Sequence, residues 1–189
     1  MVNATIIYAP RSTTNESKSR DLEMHQSKKG NQWYLGMKLH VGADSWTGLI
    51  HGVSTTAPNV HDSKALAELI YGNETRPYGD GAYRGQKAVI AAIAPKASDF
   101  TNERARCNVP LSEAQMANNN TKSALRAAVE HPFVHIKRLL GCAKARYREW
   151  AKNSHRLVGD DVRALQRAQD QYRGGGIDPF GAGENAHRC

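Results

Sequence analysis

Hydrophobic and polar residues alternate over three short stretches near the start of the chain. Asn3–Tyr8 is rich in β-branched and aromatic residues and stops before Pro10, which predicts a short strand. Trp33–Val41 and Leu49–Thr56 flank a turn rich in Asp and Gly, so they predict a hairpin. The polar stretch Arg11–Asn31 has little periodicity and predicts a long exposed loop.

Helical spacing dominates the remainder. Val60–Tyr71 and Gly85–Ala94 predict helices, and between them Arg76–Tyr83 predicts a short strand. Lys122–Arg148 has apolar residues at intervals of three and four, which predicts a long amphipathic helix. Pro132 interrupts that helix, either by kinking it or by starting a new first turn. Residues 96–120 carry weak signals, apart from a predicted loop at Asn118, Asn119 and Asn120.

The order of these elements predicts an α/β fold with a mixed sheet and flanking helices. Residues 1–157 would form this domain, and the polar, Gly-rich residues 158–189 a disordered tail. The 189 residues fit one modest domain, and the longest nearly apolar run, Ala4–Pro10, is far below the roughly 18 residues of a membrane span. Three widely spaced cysteines suit a reducing compartment. We therefore expect a soluble, cytoplasmic protein without a membrane partner.

The positive charge is concentrated in one region. The whole chain carries a net charge of +8, and Thr121–Arg156 alone has nine Lys or Arg residues against two Glu. Such a stretch is typical of proteins that bind a polyanion, because neutralised phosphates release their counterions. A solvated helix face is an equally good interpretation of the charge run alone.

Two acidic residues stand in patterns that suit chemistry. Arg126, Glu130 and Lys137 lie four and seven residues apart, along one side of the predicted helix. A carboxylate between two cations suits a metal ligand or general base beside phosphate-binding groups. An ordinary intrahelical salt bridge is the simpler interpretation of that spacing. Asp80, between Gly79 and Gly81, is either a site residue that a ligand can approach or a turn aspartate.

Other polar and aromatic residues favour structural roles. Asp62 is expected to cap the helix that begins near Val60. His25, His40 and His51 lack ligand spacing and are expected to be structural or exposed. Trp33 and Tyr34 favour the sheet core, although a base-stacking platform stays open because Lys28 and Lys29 are close in sequence.

Several longer strings resemble one protein family. They occur in the order Asp21–Tyr34, Gly36–Lys38, Ala57–Asp62, Gly79–Tyr83 and Val129–Phe133. Together they resemble the Asp-Asp-Glu (DDE) transposases of bacterial insertion sequences, specifically the insertion-sequence-five group, from about Val2 to Leu157. The spacing of Arg126, Glu130 and Lys137 is similar to the family's signature around its catalytic glutamate.

The resemblance implies a ribonuclease-H-like core in which three carboxylates hold two divalent ions, Mg²⁺ or Mn²⁺, about 3.5–4 Å apart. These ions serve the cleavage and transfer of DNA strands. By this resemblance Asp80 is the second carboxylate, Glu130 is the third, and Asn3 occupies the position of the first. The implied partner is double-stranded DNA, as insertion-sequence ends and target, with a possible homodimer and a nucleoid location when DNA is bound. By this resemblance Arg126 and Lys137 contact the DNA backbone or the active-site phosphate. We also expect DNA binding by Arg138, Lys144 and Arg146 of the basic stretch and by Lys28 and Lys29.

Asn3 is the main departure from the family pattern. Its neutral amide weakens metal binding, so we expect little or no strand cleavage unless Asp62 or Asp44 reaches the site. Relatives also carry an N-terminal DNA-binding region and continue past Leu157 with an apolar helix. A truncated copy of a mobile element would account for all three departures. The alternatives are a non-catalytic DNA-binding remnant that uses the basic stretch 121–156, and a chain that does not fold stably.

Overall fold

One long strand organises the sheet. The computed structural model describes residues 1–10, 21–45, 47–105, 107–127 and 130–161. Within these residues β3 pairs antiparallel with each of three shorter strands. The strands are β1 (Val2–Tyr8), β2 (His25–Lys29), β3 (Gln32–Ala43) and β4 (Ile50–Thr56). The predicted first strand and the predicted hairpin are thus present. The loop predicted for Arg11–Asn31 is wrong over His25–Lys29, because these residues form β2 by pairing with the start of β3. Residues 11–20 lie outside the described part.

The two faces of the sheet are covered by different segments. Met37, Leu39 and Val41 of β3 are fully buried and pack with Phe133 and Ile136 from the later helical region. In a second core, Val2 of β1 packs with side chains from the segment 66–94. These side chains are Leu66, Leu69, Ile70, Tyr83, Ile90 and Ala94. Because successive side chains of a strand point to opposite faces of the sheet, each face packs against a different helical segment.

Two extended segments continue the sheet beyond β1. Val2 N donates to Tyr78 O at 2.8 Å, which places residues 75–79 beside the start of β1. Residues 98–102 lie next to that segment in a parallel sense, with backbone bonds of 2.9, 3.2 and 2.9 Å to residues 75, 77 and 79. Neither segment is a regular strand, so the prediction of a strand before Asp80 is wrong as stated. The pairing is nevertheless strand-like and directs Asp80 to the edge of β1.

The first helical region is shorter than its periodicity predicts. A 3₁₀ turn, Asp62–Ala65, leads into α1 (Leu66–Leu69), and α2 spans Lys87–Ile93. The N-cap of the 3₁₀ turn is His61, whose ring accepts from Ser63 N. Asp62 is therefore not the cap; it lies in the first turn and binds Lys38 instead.

The α3 helix (Glu113–Arg126) includes the three asparagines that were predicted to form a loop. A capping box between Ser112 and Gln115 starts the helix. Asn119 then fixes it to the preceding segment, since its side chain accepts from Glu103 N and donates to Glu103 O, both at 2.9 Å. These tertiary hydrogen bonds stabilise a sequence with poor helical propensity.

The single long helix predicted for Lys122–Arg148 is wrong. After α3, α4 (Glu130–Val134) continues as a π-helical turn, His135–Leu139, and residues 141–149 are not helical. Gly141 adopts φ +64°, a left-handed conformation that ends the helix. The chain resumes with α5 (Trp150–His155) and a second π-helical turn, Arg156–Asp161. That turn includes residues 158–161 of the predicted tail.

Some predictions fall where the structure describes little or nothing. Val129, Cys189 and the tail residues 162–189 lie outside the described part, so the predicted tail disorder stays a prediction. Cys107 is an exposed free thiol, and Cys142 is buried. In the described ranges, no helix has both the length and the apolar character that crossing a membrane requires.

Candidate active site

A cleft of about 460 Å³ lies beside β1, and we call it the β1 cleft. Asn3 lines it from β1, Asp80 from the end of the extended segment 75–79, and Glu130 from the start of α4. The three residues proposed for the metal site thus meet in one cleft, although they are far apart in sequence. Four cations also line it: Lys29, Arg126, Lys137 and Arg138.

Asn3 is held in the sheet by its backbone and bonded locally by its side chain. It pairs with Val41 of β3, and its Oδ1 accepts from Ala4 N at 2.9 Å. The side chain is half-buried. An aspartate could accept the same hydrogen bond, so this position accommodates either residue but with a different charge.

Asp80 combines the two roles that its sequence left open. Its Oδ1 accepts from Ala82 N at 2.8 Å and caps the 3₁₀ turn Gly81–Tyr83, as a turn aspartate does. The same half-buried side chain lines the β1 cleft. Gly79 allows this close packing, because a Cβ there would lie a tight 3.0 Å from the Tyr83 ring. The close packing of Tyr83 therefore fixes the turn that presents Asp80.

Glu130 and its neighbours are positioned by the buried side of the same helical region. Phe133 and Ile136 anchor this region in the core, while Glu130 itself is exposed. The cleft groups Arg126 and Lys137 come from the end of α3 and the π-helical turn. Burial, followed by the nearby charge of Lys29, lowers the pKa of Lys137 below its usual value. Arg126, Glu130 and Lys137 therefore share a cleft without sharing one continuous regular helix.

Arg126 has a buried donor in this cleft. Its Nε has no hydrogen-bond partner within the residues that the structure describes. Burial, and then the negative charges of Asp62 and Asp80, raise the pKa of the nearby Tyr83 phenol well above its usual range. The positive charge of Arg126 opposes this shift. A buried guanidinium donor without a partner suits an incoming anion such as a phosphate.

A second cleft, of about 270 Å³, adjoins the first and brings Lys38 and Asp62 close to Asn3 and Asp80. Lys38 Nζ donates to Asp62 Oδ1 and to Val60 O, both at 2.7 Å. No local pattern predicts this role for Lys38, because its partner lies 24 residues away. Asp62 is thus near the site but already paired with a cation.

Asp44 lies elsewhere. Its Oδ1 accepts from Thr47 N at 2.7 Å in the turn between β3 and β4. It lines neither the β1 cleft nor the adjoining cleft.

The other predicted DNA-binding residues are distributed around the β1 cleft. Lys28 lines the adjoining cleft together with Lys29. Lys144 lines a third, aromatic cleft at the other end of β1. Arg146 lines none of these three clefts, and its backbone N donates to Asn153 Oδ1 at 3.0 Å. The predicted DNA-binding residues are therefore divided among different clefts.

The histidines behave as structural groups. His40 is fully buried, its Nε2 is 2.8 Å from Thr56 Oγ1, and burial lowers its pKa to about 4. The His51 ring packs edge-on against Tyr71, and burial lowers its pKa as well. His25 is exposed on β2. None of the three lines the β1 cleft or the adjoining cleft.

The donor set of the β1 cleft fits a divalent metal in part. Carboxylates from Asp80 and Glu130 and the amide oxygen of Asn3 are hard oxygen ligands of the kind that Mg²⁺ prefers. Over the described ranges, however, no three His, Cys, Asp or Glu side chains are grouped closely enough to hold a metal ion. The cleft thus supplies two carboxylates and one neutral amide oxygen as possible metal ligands.

A comparison with protein families identifies the class. A family model for the transposase DDE domain matches residues 2–159, from β1 into the second π-helical turn. The chain therefore belongs to the transposase DDE domain family, whose members generally act on DNA and use divalent metals. No solved structure shows significant similarity to the chain.

Proposed function

We propose that this chain is the catalytic domain of a transposase of the insertion-sequence-five group, and that Asn3 leaves this copy impaired. Its reaction would be metal-dependent phosphoryl transfer at the ends of an insertion sequence. The observation that carries the proposal is the meeting of Asn3, Asp80 and Glu130 in one cleft. These residues come from a strand, a turn and a helix, so no local feature of the sequence would bring them together.

We further propose that the domain is ribonuclease-H-like. Three antiparallel strands in the order β4, β3 and β1, continued by residues 75–79 and then 98–102, support this assignment. In that arrangement the first carboxylate position is on β1 and the second follows the segment beside it. Asn3 and Asp80 occupy these two places.

The cleft suggests a division of labour among its residues. Asp80 and Glu130 would hold the divalent ion, which supplies charge neutralisation and a polarised oxygen nucleophile when bound. Arg126, with its unpartnered Nε, would bind a DNA phosphate. Lys137 and Arg138 would hold adjacent phosphates of the backbone. Since phosphoryl transfer depends on positioning and charge, these contacts orient the scissile group.

Asn3 explains why the copy is expected to be weak. Its amide carries no negative charge, and its oxygen already accepts from Ala4 N. Asp62, the nearest alternative carboxylate in the adjoining cleft, is bonded to Lys38. A divalent ion would therefore rely on Asp80 and Glu130 among the cleft cations.

The test is nicking of supercoiled plasmid in Mg²⁺ or Mn²⁺. We expect the natural protein and Asn3→Asp with Glu130→Ala to be inactive, and Asn3→Asp alone to nick. Asn73→Asp is the matched control, because it adds the same charge at an exposed position outside the clefts. If Asn3→Asp is folded but as inactive as Asn73→Asp, the proposed carboxylate triad is wrong.

The alternative function is non-catalytic DNA binding through the basic stretch 121–156. It is favoured by the excess of cations in the β1 cleft, where Arg126, Lys137 and Arg138 of this stretch, together with Lys29 of β2, outnumber the two carboxylates. This function predicts salt-sensitive duplex binding that is indifferent to Mg²⁺ and unaffected by Glu130→Ala. Under either proposal the partner is double-stranded DNA, as insertion-sequence ends and target. A homodimer and a nucleoid location in the bacterial cytoplasm are further parts of the proposal.

A further inference from the structure

The aromatic cleft is a second concave surface, of about 760 Å³, at the far end of β1. Tyr8, Trp33, Tyr34 and Lys144 line it. The Trp33 side chain is 55% exposed and Tyr8 is 38% exposed. The sequence-based preference for Trp33 in the sheet core is therefore wrong, and its large aromatic surface faces solvent.

The backbone around these rings is well anchored. Tyr8 N donates to Ala143 O at 3.1 Å, and Ala145 N donates to Tyr8 O at 2.7 Å. Trp33 and Tyr34 belong to the part of β3 that precedes its pairing with β1 and β4 and pairs with β2 instead. The Tyr8 and Tyr34 rings lie 5.5 Å apart with a 37° tilt. Rings held in this way lose little conformational entropy when a flat ligand stacks on them.

Cations surround the rings. Lys137 Nζ lies 5.9 Å from the centre of the Tyr8 ring, and Lys28 Nζ lies 6.0 Å from the centre of the Trp33 ring. Lys144 adds a third cation to the cleft. Aromatic faces flanked by ammonium groups match a ligand that has flat apolar groups and regular negative charges. Single-stranded nucleic acid has both, whereas duplex DNA hides its base faces and a neutral peptide has no use for the cations.

Lys137 connects the aromatic cleft with the β1 cleft. Lys137 lines the β1 cleft and contacts the Tyr8 ring. Asn3 and Tyr8 are five residues apart on one strand, a distance of about 17 Å at 3.3–3.4 Å per residue. About five stacked nucleotides, at 3.4 Å each, cover that length.

We propose that the aromatic cleft binds unpaired bases of a single-stranded DNA segment whose backbone continues past Lys137 into the β1 cleft. The rings of Trp33, Tyr34 and Tyr8 stack on the bases, and the lysines bind the phosphates. The continuation into the β1 cleft rests on the proposed function, but base stacking itself needs neither a metal nor Asp80 or Glu130.

The test compares a labelled blunt duplex with the same duplex carrying a five-nucleotide single-stranded end. Affinities are measured by fluorescence anisotropy in EDTA at fixed salt. We expect the natural protein to prefer the single-stranded end by about tenfold or more, as expected for one to a few stacked bases. Trp33→Ala should abolish most of this preference while blunt-duplex binding persists, and Trp33→Phe should keep part of it.

Tyr71→Ala is the matched control, because Tyr71 is 54% exposed but lies outside the aromatic cleft. It should retain the full preference, and circular dichroism should show that every variant is folded. Equal affinity of the natural protein for both DNAs, or an unchanged preference in Trp33→Ala, would overturn the proposal. Displacement of the overhang DNA by an uncharged proline-rich peptide would overturn it too. The nicking assay fails or succeeds separately, since the anisotropy measurement is made in EDTA, without the divalent ion that nicking requires.

Discussion

Asn153→Asp is a nearly isosteric change with a calculable cost. Asn153 is 2% exposed and holds the segment that precedes α5. Its Oδ1 accepts from Arg146 N and Tyr147 N, both at 3.0 Å. Its Nδ2 donates to Tyr147 O at 2.7 Å and to Glu149 O at 2.9 Å. The four hydrogen bonds of this side chain thus need two accepting lone pairs and two N–H donors, which asparagine supplies and aspartate does not.

Aspartate retains the two accepted bonds but places an anionic oxygen against two carbonyl oxygens. Each lost hydrogen bond removes about 1 kcal/mol, and a carbonyl left without a partner in the interior costs about 1–3 kcal/mol. We expect Asn153→Asp to lower the free energy of unfolding by about 3–5 kcal/mol at pH 7. Protonation at acid pH returns one donor, so the difference from the natural protein should narrow there.

Urea unfolding followed by circular dichroism at pH 7 measures this difference. Asn73→Asp controls for added charge at an exposed position and should change stability by less than about 0.5 kcal/mol. Asn153→Ala, which loses all four hydrogen bonds, should be destabilised at every pH. A loss below about 1 kcal/mol in Asn153→Asp would refute the inference that this amide organises the segment.

Three further changes test the sheet and its polar contacts. Lys38→Met removes the ammonium group that lies 2.7 Å from Asp62 Oδ1. The two side chains are 16% and 22% exposed, so the loss should be smaller than for a fully buried pair. Chemical denaturation should show that the free energy of unfolding falls by about 2 kcal/mol. Burial lowers the pKa of His40 from 6.5 to about 4; the unfolded chain therefore binds the proton first as the pH falls. Stability should drop by about 3 kcal/mol between pH 6.5 and 4, and His40→Asn should remove that drop from the measured pH profile. Gly36→Ala puts a Cβ 2.0 Å from Ile7 O and should cost about 3 kcal/mol or prevent folding, as thermal melting would show.

Each of these changes has a control. Lys87→Met removes an exposed lysine on α2, and an equal loss there would contradict the role of the Lys38 pair. His51 also has a pKa lowered by burial, so only the difference between the natural protein and His40→Asn counts. Gly81→Ala places its Cβ at an ordinary 3.6 Å from Arg104 and should be tolerated. A stable Gly36→Ala variant would refute the close approach of β1 and β3.

Local patterns predicted the elements that depend on local interactions. The strand β1, the β3–β4 hairpin and α2 follow from residue alternation, turn residues and helical spacing. The long helix failed because periodicity does not detect the left-handed conformation of Gly141 or the widening into a π-helical turn. The loop at Asn118–Asn120 failed because hydrogen bonds from Asn119 to a distant segment outweigh its propensity.

The candidate site was accessible to sequence reasoning only through the order of its motifs. Spacing alone left Asp80 and Glu130 as ambiguous as any turn aspartate or helical glutamate, and only the family resemblance connected them with Asn3. The pairing of Lys38 with Asp62 depends on how β3 packs beside the turn at residue 62. Likewise, Trp33 is exposed because β3 extends past the ends of β1 and β4, a length that alternation does not reveal.

The charge of the β1 cleft connects the two proposed functions. Four cations face two carboxylates there, namely Lys29, Arg126, Lys137 and Arg138 against Asp80 and Glu130. This balance attracts a DNA phosphate without any metal, and it opposes a divalent cation unless further negative charge is supplied. Residue 3 supplies that charge when it is Asp and withholds it when it is Asn. Metal-free DNA binding and metal-dependent cleavage therefore place opposite demands on one side chain, and Asn3 meets the first. In the proposed site, a DNA-binding remnant with Asn3 and an active transposase with Asp at residue 3 would therefore differ by a single charge in one cleft.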